Sequence, residues 1–184
     1  MQLMHVFDSG LNRVGVLTAY RSLQWEEFYR DAGRFTLTAA DTPENIRLLR
    51  QGNYLWQNGK DTAMRISFVA YDAAAITVSG YTAVDLLAQR CVPSPVAVTN
   101  AEAGMYGIVR DNLRGLPVET AEPRGYDDVF ETEAVGDISK ELKRIASETD
   151  LGYMIAFARI IFRLRDSDGY ILRDNTGAFL RVVS

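Results

Sequence analysis

The sequence predicts an α+β fold: an antiparallel, β-rich barrel or sandwich, followed by a portion in which helices alternate with strands. Three observations carry this reading. Short runs of alternating apolar and polar residues recur through residues 1–81. The clearest is 34–39, with Phe35, Leu37 and Ala39 on one face and Arg34, Thr36 and Thr38 on the other. Turn signals separate the runs at Asp8-Ser9-Gly10, Asp31-Ala32-Gly33 and Asn58-Gly59. Beyond Tyr81 the apolar spacing becomes helical, clearest over 138–149, where Ile138, Leu142, Ile145, Ala146 and Thr149 share a face. Closure into a barrel, or packing into a sandwich, hides the edges that so many short strands expose. The chain therefore divides into a barrel-like part (1–81), an α/β portion (82–157) and a C-terminal β segment (158–184).

Each element has its own justification. Residues 3–7 and 13–20 read as an N-terminal hairpin about the turn at Asp8, Ser9, Gly10 and Asn12. Residues 23–29 carry Trp25, Phe28 and Tyr29, as strands prefer. A helix starts at Pro43, capped by Asp41 or Thr42, with Glu44 at its positive end. Ile46 and Leu49 share a face three residues apart, and Gly52 stops the helix. Tyr54–Gln57 and 63–71 form the next hairpin, with Met64, Ile66 and Phe68 inward and Arg65 and Ser67 outward. A strand at 76–79 follows. Thr82 and Asp85 form a capping box for a short helix reaching Arg90.

Residues 91–99, with Pro93 and Pro95, read as an extended connector. The next helix, 101–114, places Met105, Ile108, Val109 and Leu113 on one stripe. Residues 115–125 are loop, 128–133 a strand, and Gly136-Asp137 leads into the helix at 138. The apolar stretch 152–164 is long enough for two strands. Asp168-Gly169 and Asn175-Thr176-Gly177 are turns before a last strand at 178–183.

The 184 residues suffice for a sizeable core, and 47% hydrophobic with 24% charged residues is ordinary for a globular chain. A net charge of −4 argues against a general nucleic-acid binder. The single cysteine, Cys91, excludes an intrachain disulfide and reads as a small buried apolar residue. With one histidine besides, a His- or Cys-rich zinc site has too few ligands. The N-terminus lacks the basic-then-apolar pattern of a signal peptide, and no apolar run reaches the roughly 20 residues that span a bilayer. These features place synthesis and folding in a cytoplasm.

No constellation for chemistry emerges. Gly52 to Gly59-Lys60 has the outline of a phosphate loop. Six residues separate the glycines where four are needed, and Asp61 stands where Ser or Thr should hold the metal. Asp166-Ser167-Asp168-Gly169 lacks the further oxygen ligand and distant glutamate of a calcium loop. The acidic run Glu119, Glu122, Asp127, Asp128, Glu131 and Glu133 reads as a solvated face, with Glu131 and Glu133 on the same wet side. As an enzyme site it would need one carboxylate desolvated in a pocket. His5 shares a strand face with Leu3 and Phe7 and has no Ser or Cys partner nearby in sequence. Arg110, Arg114 and Arg124 offer cations for an anion site without fixed geometry. A ligand- or nucleic-acid-binding barrel would use Trp25, Tyr29, Arg30 and Arg34. No catalytic, cofactor-binding or metal residue is assigned.

Four phrases in order carry a resemblance: L-N-R-V-G-V-L at 11–17, S-L-Q-W-E-E-F-Y-R-D-A-G-R-F-T-L at 22–37, P-E-N-I-R-L-L-R-Q-G-N-Y-L at 43–55 and I-T-V-S-G-Y-T-A-V-D-L-L-A-Q-R at 76–90. Together they resemble the siphovirus minor-tail family that forms or contributes to the tail-tip hub. A looser match runs over 101–157, through the N-L-R helix and the G-Y-M-I-A-F strand. The resemblance implies a tail-tube-like β-barrel interrupted by an α/β insertion, here 82–157, and assembly into a ring, with a trimer favoured. It implies a structural, non-enzymatic role between tail tube and tip in a phage or prophage virion, after synthesis in the bacterial host cytoplasm. The distal tail protein, tail tube or tape-measure protein would be partners, with no membrane anchor and no sequence-specific nucleic-acid binding. Such proteins are usually longer. Either the segment from Ala158 completes the barrel here or the chain is a truncated member.

Overall fold

A computed structural model describes residues 3–121, 123–126, 129–156, 162–163 and 181–182. Seven strands form one antiparallel sheet: β1 (Met4–Phe7), β2 (Arg13–Leu17), β3 (Ser22–Glu26), β4 (Arg34–Ala40), β5 (Tyr54–Gln57), β6 (Met64–Asp72) and β7 (Ala75–Thr82). Their spatial order is β2-β1-β5-β6-β7-β4-β3, so the two edge strands, β2 and β3, are consecutive in the chain. Laid flat, seven strands would hold their edges roughly 29 Å apart, six spacings of about 4.8 Å. The link from Leu17 to Ser22 spans at most about 18 Å. The sheet therefore curls until β2 and β3 approach, leaving a barrel open along one seam.

The inward side of that curl is one cluster. Met4, Val6, Leu17, Phe35, Leu37, Ala39, Leu55, Met64, Ile66, Ile76 and Val78 are buried together, with Leu48 and Leu49 from α1 (Pro43–Leu48). Thr42 caps α1, its Oγ1 accepting from the Asn45 amide at 3.2 Å. Because α1 stops at Leu48, the buried pair is Leu48 and Leu49. Ile46, placed on one face with Leu49 by its spacing, is 37% exposed. Leu48 lies against Gly15 of β2, and Arg47 Nη1 donates to the Val14 carbonyl, so α1 sits on the open edge of β2.

β6 departs from simple alternation. Ile66 pairs with Gly80 but Phe68 pairs with Ser79, so Ser67 is an extra residue. This bulge reverses the facing beyond it: Val69 packs on the core and Phe68, expected inward, is 64% exposed. Gly80 permits it, since a Cβ there would lie 1.9 Å from the Arg65 carbonyl oxygen.

A second core lies outside the barrel. After β7 a 3₁₀ turn covers Ala83–Gln89, rather than a capped α-helix. Thr82 makes no side-chain cap. Its Oγ1 instead accepts from the Gly33 amide at 3.0 Å, tying β7 to the turn before β4. The expected connector at 91–99 is a strand, β8 (Cys91–Asn100), paired antiparallel with β9 (Val129–Asp137). Its prolines fall in the register irregularity between Val92 and Val96, where the ladder is already interrupted. Helices α2 (Ala101–Asn112) and α3 (Ile138–Thr149) cover one face of this ribbon. They bury Met105, Ile108, Ile138, Leu142, Ile145 and Ala146 against Val92, Val98 and Ala134. Asn100 and Asp137 cap the two helices through the Ala103 and Lys140 amides.

A third cluster joins the two cores. Phe7, Tyr54 and Trp56, on the outer face of β1 and β5, pack with Ala63, Ala83, Leu86, Leu116, Val118 and Ile155. Residues 151–156, expected as strand, have no regular secondary structure. They run as a strap, with Ile155 touching both outer clusters. Two short strands, β10 (Phe162–Arg163) and β11 (Arg181–Val182), pair antiparallel. The turns expected at Asp168 and Asn175 lie outside the described residues.

Gly80→Ala is expected to abolish soluble folding or sharply lower the denaturation midpoint, because the clash is with backbone. Gly107→Ala, on α2 with open space at its Cβ, is expected to gain up to about 1 kcal/mol from helix propensity. Urea denaturation of the two variants checks the contrast.

Candidate functional surfaces

The sequence candidates are dispersed. His5 is buried on the outer face of β1 beneath the joining cluster, opposite Trp56, with ring centroids 5.5 Å apart. Cys91 is exposed rather than buried: Val92 takes the inward position at the start of β8, which turns Cys91 outward. Among the described residues no three His, Cys, Asp or Glu side chains group as a metal site. Gly59, at positive φ, turns the loop after β5, with the Lys60 amide donating to the Gln57 carbonyl. The aspartates of the expected 166–168 turn, with Glu122, Asp127 and Asp128, lie outside the described residues.

The aromatic and basic residues of the barrel part split between faces. Trp25 leans on the inner core beside Phe35. Its Nε1 donates to Glu27 at 2.6 Å, and Lys60 lies 5.9 Å from the ring centre. Arg34 points to the opposite face and pairs with Glu26 at 2.6 Å. Arg30 is committed to Asp150, and the Tyr29 ring lies against Gly152. Arg110 pairs with its neighbour Asp111 at 2.9 Å. Arg114 follows the end of α2, while the Arg124 backbone is held by Glu102 near its start, roughly 18 Å away along a 12-residue helix. No common stacking face or anion cradle results.

What the charged groups do is brace loops. The Glu102 carboxylate accepts from the Arg124, Gly125 and Tyr126 amides at 2.6–2.9 Å, and the Arg124 amide above all holds it below the ordinary glutamate range. Asp31 accepts from Lys143 on α3, which lowers its pKa. The Tyr29 carbonyl accepts from the Tyr153 amide at 3.2 Å. The loop before β4 is thus clamped to the second core. Burial, with the nearby Asp31 charge, pushes the Tyr153 hydroxyl up to about 12, and this hydroxyl has no hydrogen-bond partner among the described residues.

What remains uncommitted is surface. Phe68, Tyr71 and Tyr81 are exposed on β6 and β7. Val129 (86% exposed) and Val135 bracket Glu131 and Glu133 on the outer face of β9, the wet side expected for these glutamates. β2, β3, β8 and β9 each have one edge without a strand partner among the described residues. The depressions between β8 and α2 and beside the 18–21 link are open grooves of about 270 and 320 Å³.

Tyr153→Phe is expected to leave stability unchanged or slightly raised, since it removes a desolvated, unpartnered hydroxyl; urea denaturation reading a loss above about 1 kcal/mol would contradict this. Because the pKa of Asp31 is depressed, its contribution is present above the ordinary aspartate range and is lost as pH falls through the lowered value. Asp31→Asn is expected to flatten the acid limb of stability below about pH 4. The effect should stay within about 1 kcal/mol, because both partners are substantially exposed. Thermal melts across pH measure it.

No curated protein sequence matches the chain at a significant level. Among solved structures, the crystal structure of prophage tail protein gp18 from Listeria monocytogenes EGD-e is similar, with a TM-score of 0.55 at 12% identity. The match covers 79% of this chain but 45% of that one, so the present chain spans under half the length of its structural relative. Its mixed α+β fold, with a large antiparallel sheet and a few helices, is thus the fold of a phage tail protein. Residues 3–111, more than half of the chain, match the family described as Siphovirus ReqiPepy6 Gp37-like protein. The chain belongs to that siphovirus family.

Proposed function

We propose that the protein is a structural component of a phage or prophage tail tip, forming part of a ring-shaped hub between tail tube and tip. The observation that carries this is the family match over the curled sheet, residues 3–111, joined to the fold shared with a prophage tail protein. The physical character of the molecule agrees. Several charged groups, Glu102, Asp31 and Lys143 among them, brace loops, whereas bare strand edges and exposed aromatic faces are left over for neighbours. The function is then one of shape and self-association, not catalysis.

In this reading copies close into a ring through a repeating heterologous contact, and about three chains is the size the family resemblance implies. The distal tail protein, tail tube or tape-measure protein would meet the ring's faces, and the protein would reside in the virion tail after synthesis in the host cytoplasm.

Sedimentation velocity over a wide concentration range tests this. A species of about three times the 20.6 kDa chain mass, seen as rings with a central opening by negative-stain microscopy, is expected. A monomer persisting at the highest concentration, and binding no tail protein, would overturn the proposal.

A further inference from the structure

We infer that two surfaces of this chain, the exposed side of α1 and the outer face of β9, bind each other head to tail between copies. This rests on the ring-hub reading and names the contact that would build the ring.

The first surface is basic. Arg47 and Arg50 lie three residues apart on and just after α1, and both are exposed. Neither has a carboxylate partner among the described ion pairs; Arg47 spends one nitrogen on the Val14 carbonyl. Arg13, also exposed, is the residue before Val14 and adds a third cation, while Glu44 is the acidic residue on the same helix. Ile46, exposed and next to Arg47 in the chain, supplies an apolar contact beside the guanidinium groups.

The second surface has the opposite charge. Glu131 and Glu133 point outward from β9, about 6.8 Å apart by strand geometry, and no described ion pair uses either. Val129 and Val135, exposed, flank them. Arg144 of α3 reaches the Glu133 carbonyl and the Thr132 hydroxyl, and its charge is taken up by Glu141 and Glu148.

Two outward carboxylates flanked by exposed valines are thus complementary in charge to two guanidinium groups next to an exposed isoleucine, and both surfaces offer apolar contact beside the charges. β9 cannot serve as its own partner as readily. An antiparallel two-fold pairing centred on Glu133 would set that carboxylate against its own copy, which is repulsive. A contact between two different patches is heterologous, and repetition of it generates a ring when the rotation closes.

Charge reversal with the full chain tests this. Glu131→Lys/Glu133→Lys and Arg47→Glu/Arg50→Glu, each surface-exposed and checked for folding by circular dichroism, should weaken self-association at least tenfold by sedimentation. The four substitutions together should restore it to within about threefold. Wild-type association should also weaken as salt rises from about 0.05 to 0.5 M, where screening shortens to a few ångströms. Double variants that associate like wild type would overturn this contact while leaving the ring reading standing. Weakened doubles without rescue in the fourfold variant would also overturn it. A wild-type chain that never associates would overturn this contact, and one that also binds no tail protein would overturn the hub reading with it.

Discussion

A link of four residues governs the molecule. It joins β2 to β3, the two edges of a seven-stranded sheet, and is far too short to cross the width of that sheet laid flat. Curling is the only solution, and the rest follows from it. The inner faces of the strands meet, so a single apolar cluster can draw on β1, β2, β4, β5, β6 and β7. Strong curvature needs local adjustment, supplied where Ser67 bulges opposite Gly80. The remaining gap at β2 is met by α1, which adds Leu48 and Leu49 to the interior and an arginine to an edge carbonyl.

Curling also fixes what the outside must do. The convex face of β1 and β5 carries Phe7, Tyr54 and Trp56, residues too apolar to leave wet, and Ala83, Leu86, Leu116, Val118 and Ile155 cover them. Polar clamps then set the angle: Lys143 to Asp31, Arg30 to Asp150, and backbone to backbone between Tyr29 and Tyr153. These pairs are largely exposed and contribute modestly to stability. They orient the two cores; the apolar cluster holds them. The opposite convex face, on β6 and β7, receives no such cover from the described residues, among which its aromatics are exposed.

Much of this was legible in the sequence because local chemistry decided it. The alternation of Phe35, Leu37 and Ala39 survives intact in β4. The Asp137 cap starts α3 where expected, and the stripe of Ile138, Leu142, Ile145 and Ala146 is buried. Departures arise where a distant partner decides. Phe68 turns outward because β6 takes an extra residue, and only the close approach of Gly80, some twelve residues on, permits it. Thr82 gives up its cap because the Gly33 amide needs an acceptor. Residues 91–99 become a strand because β9, far along the chain, offers a ladder that tolerates prolines at an irregularity. The surfaces were half legible. The wet glutamates of β9 followed from alternation, but Ile46 beside Arg47 and Arg50 did not, since its exposure depends on where α1 ends.

The strand order has a further consequence, for a chain still emerging from the ribosome. Hairpins β1–β2 and β3–β4 are made first, yet they end at opposite sides of the sheet, and nothing joins them directly except the short link. β5, β6 and β7 are made later and slot between them, β5 onto β1 and β7 onto β4. Until Thr82 has been synthesised the two early hairpins cannot share an interior, and each displays apolar residues destined for one. The contacts that end this state span about forty to fifty residues, the kind whose closure is slow. Translation past the end of β7 is therefore the event that turns a sticky nascent chain into a closed one.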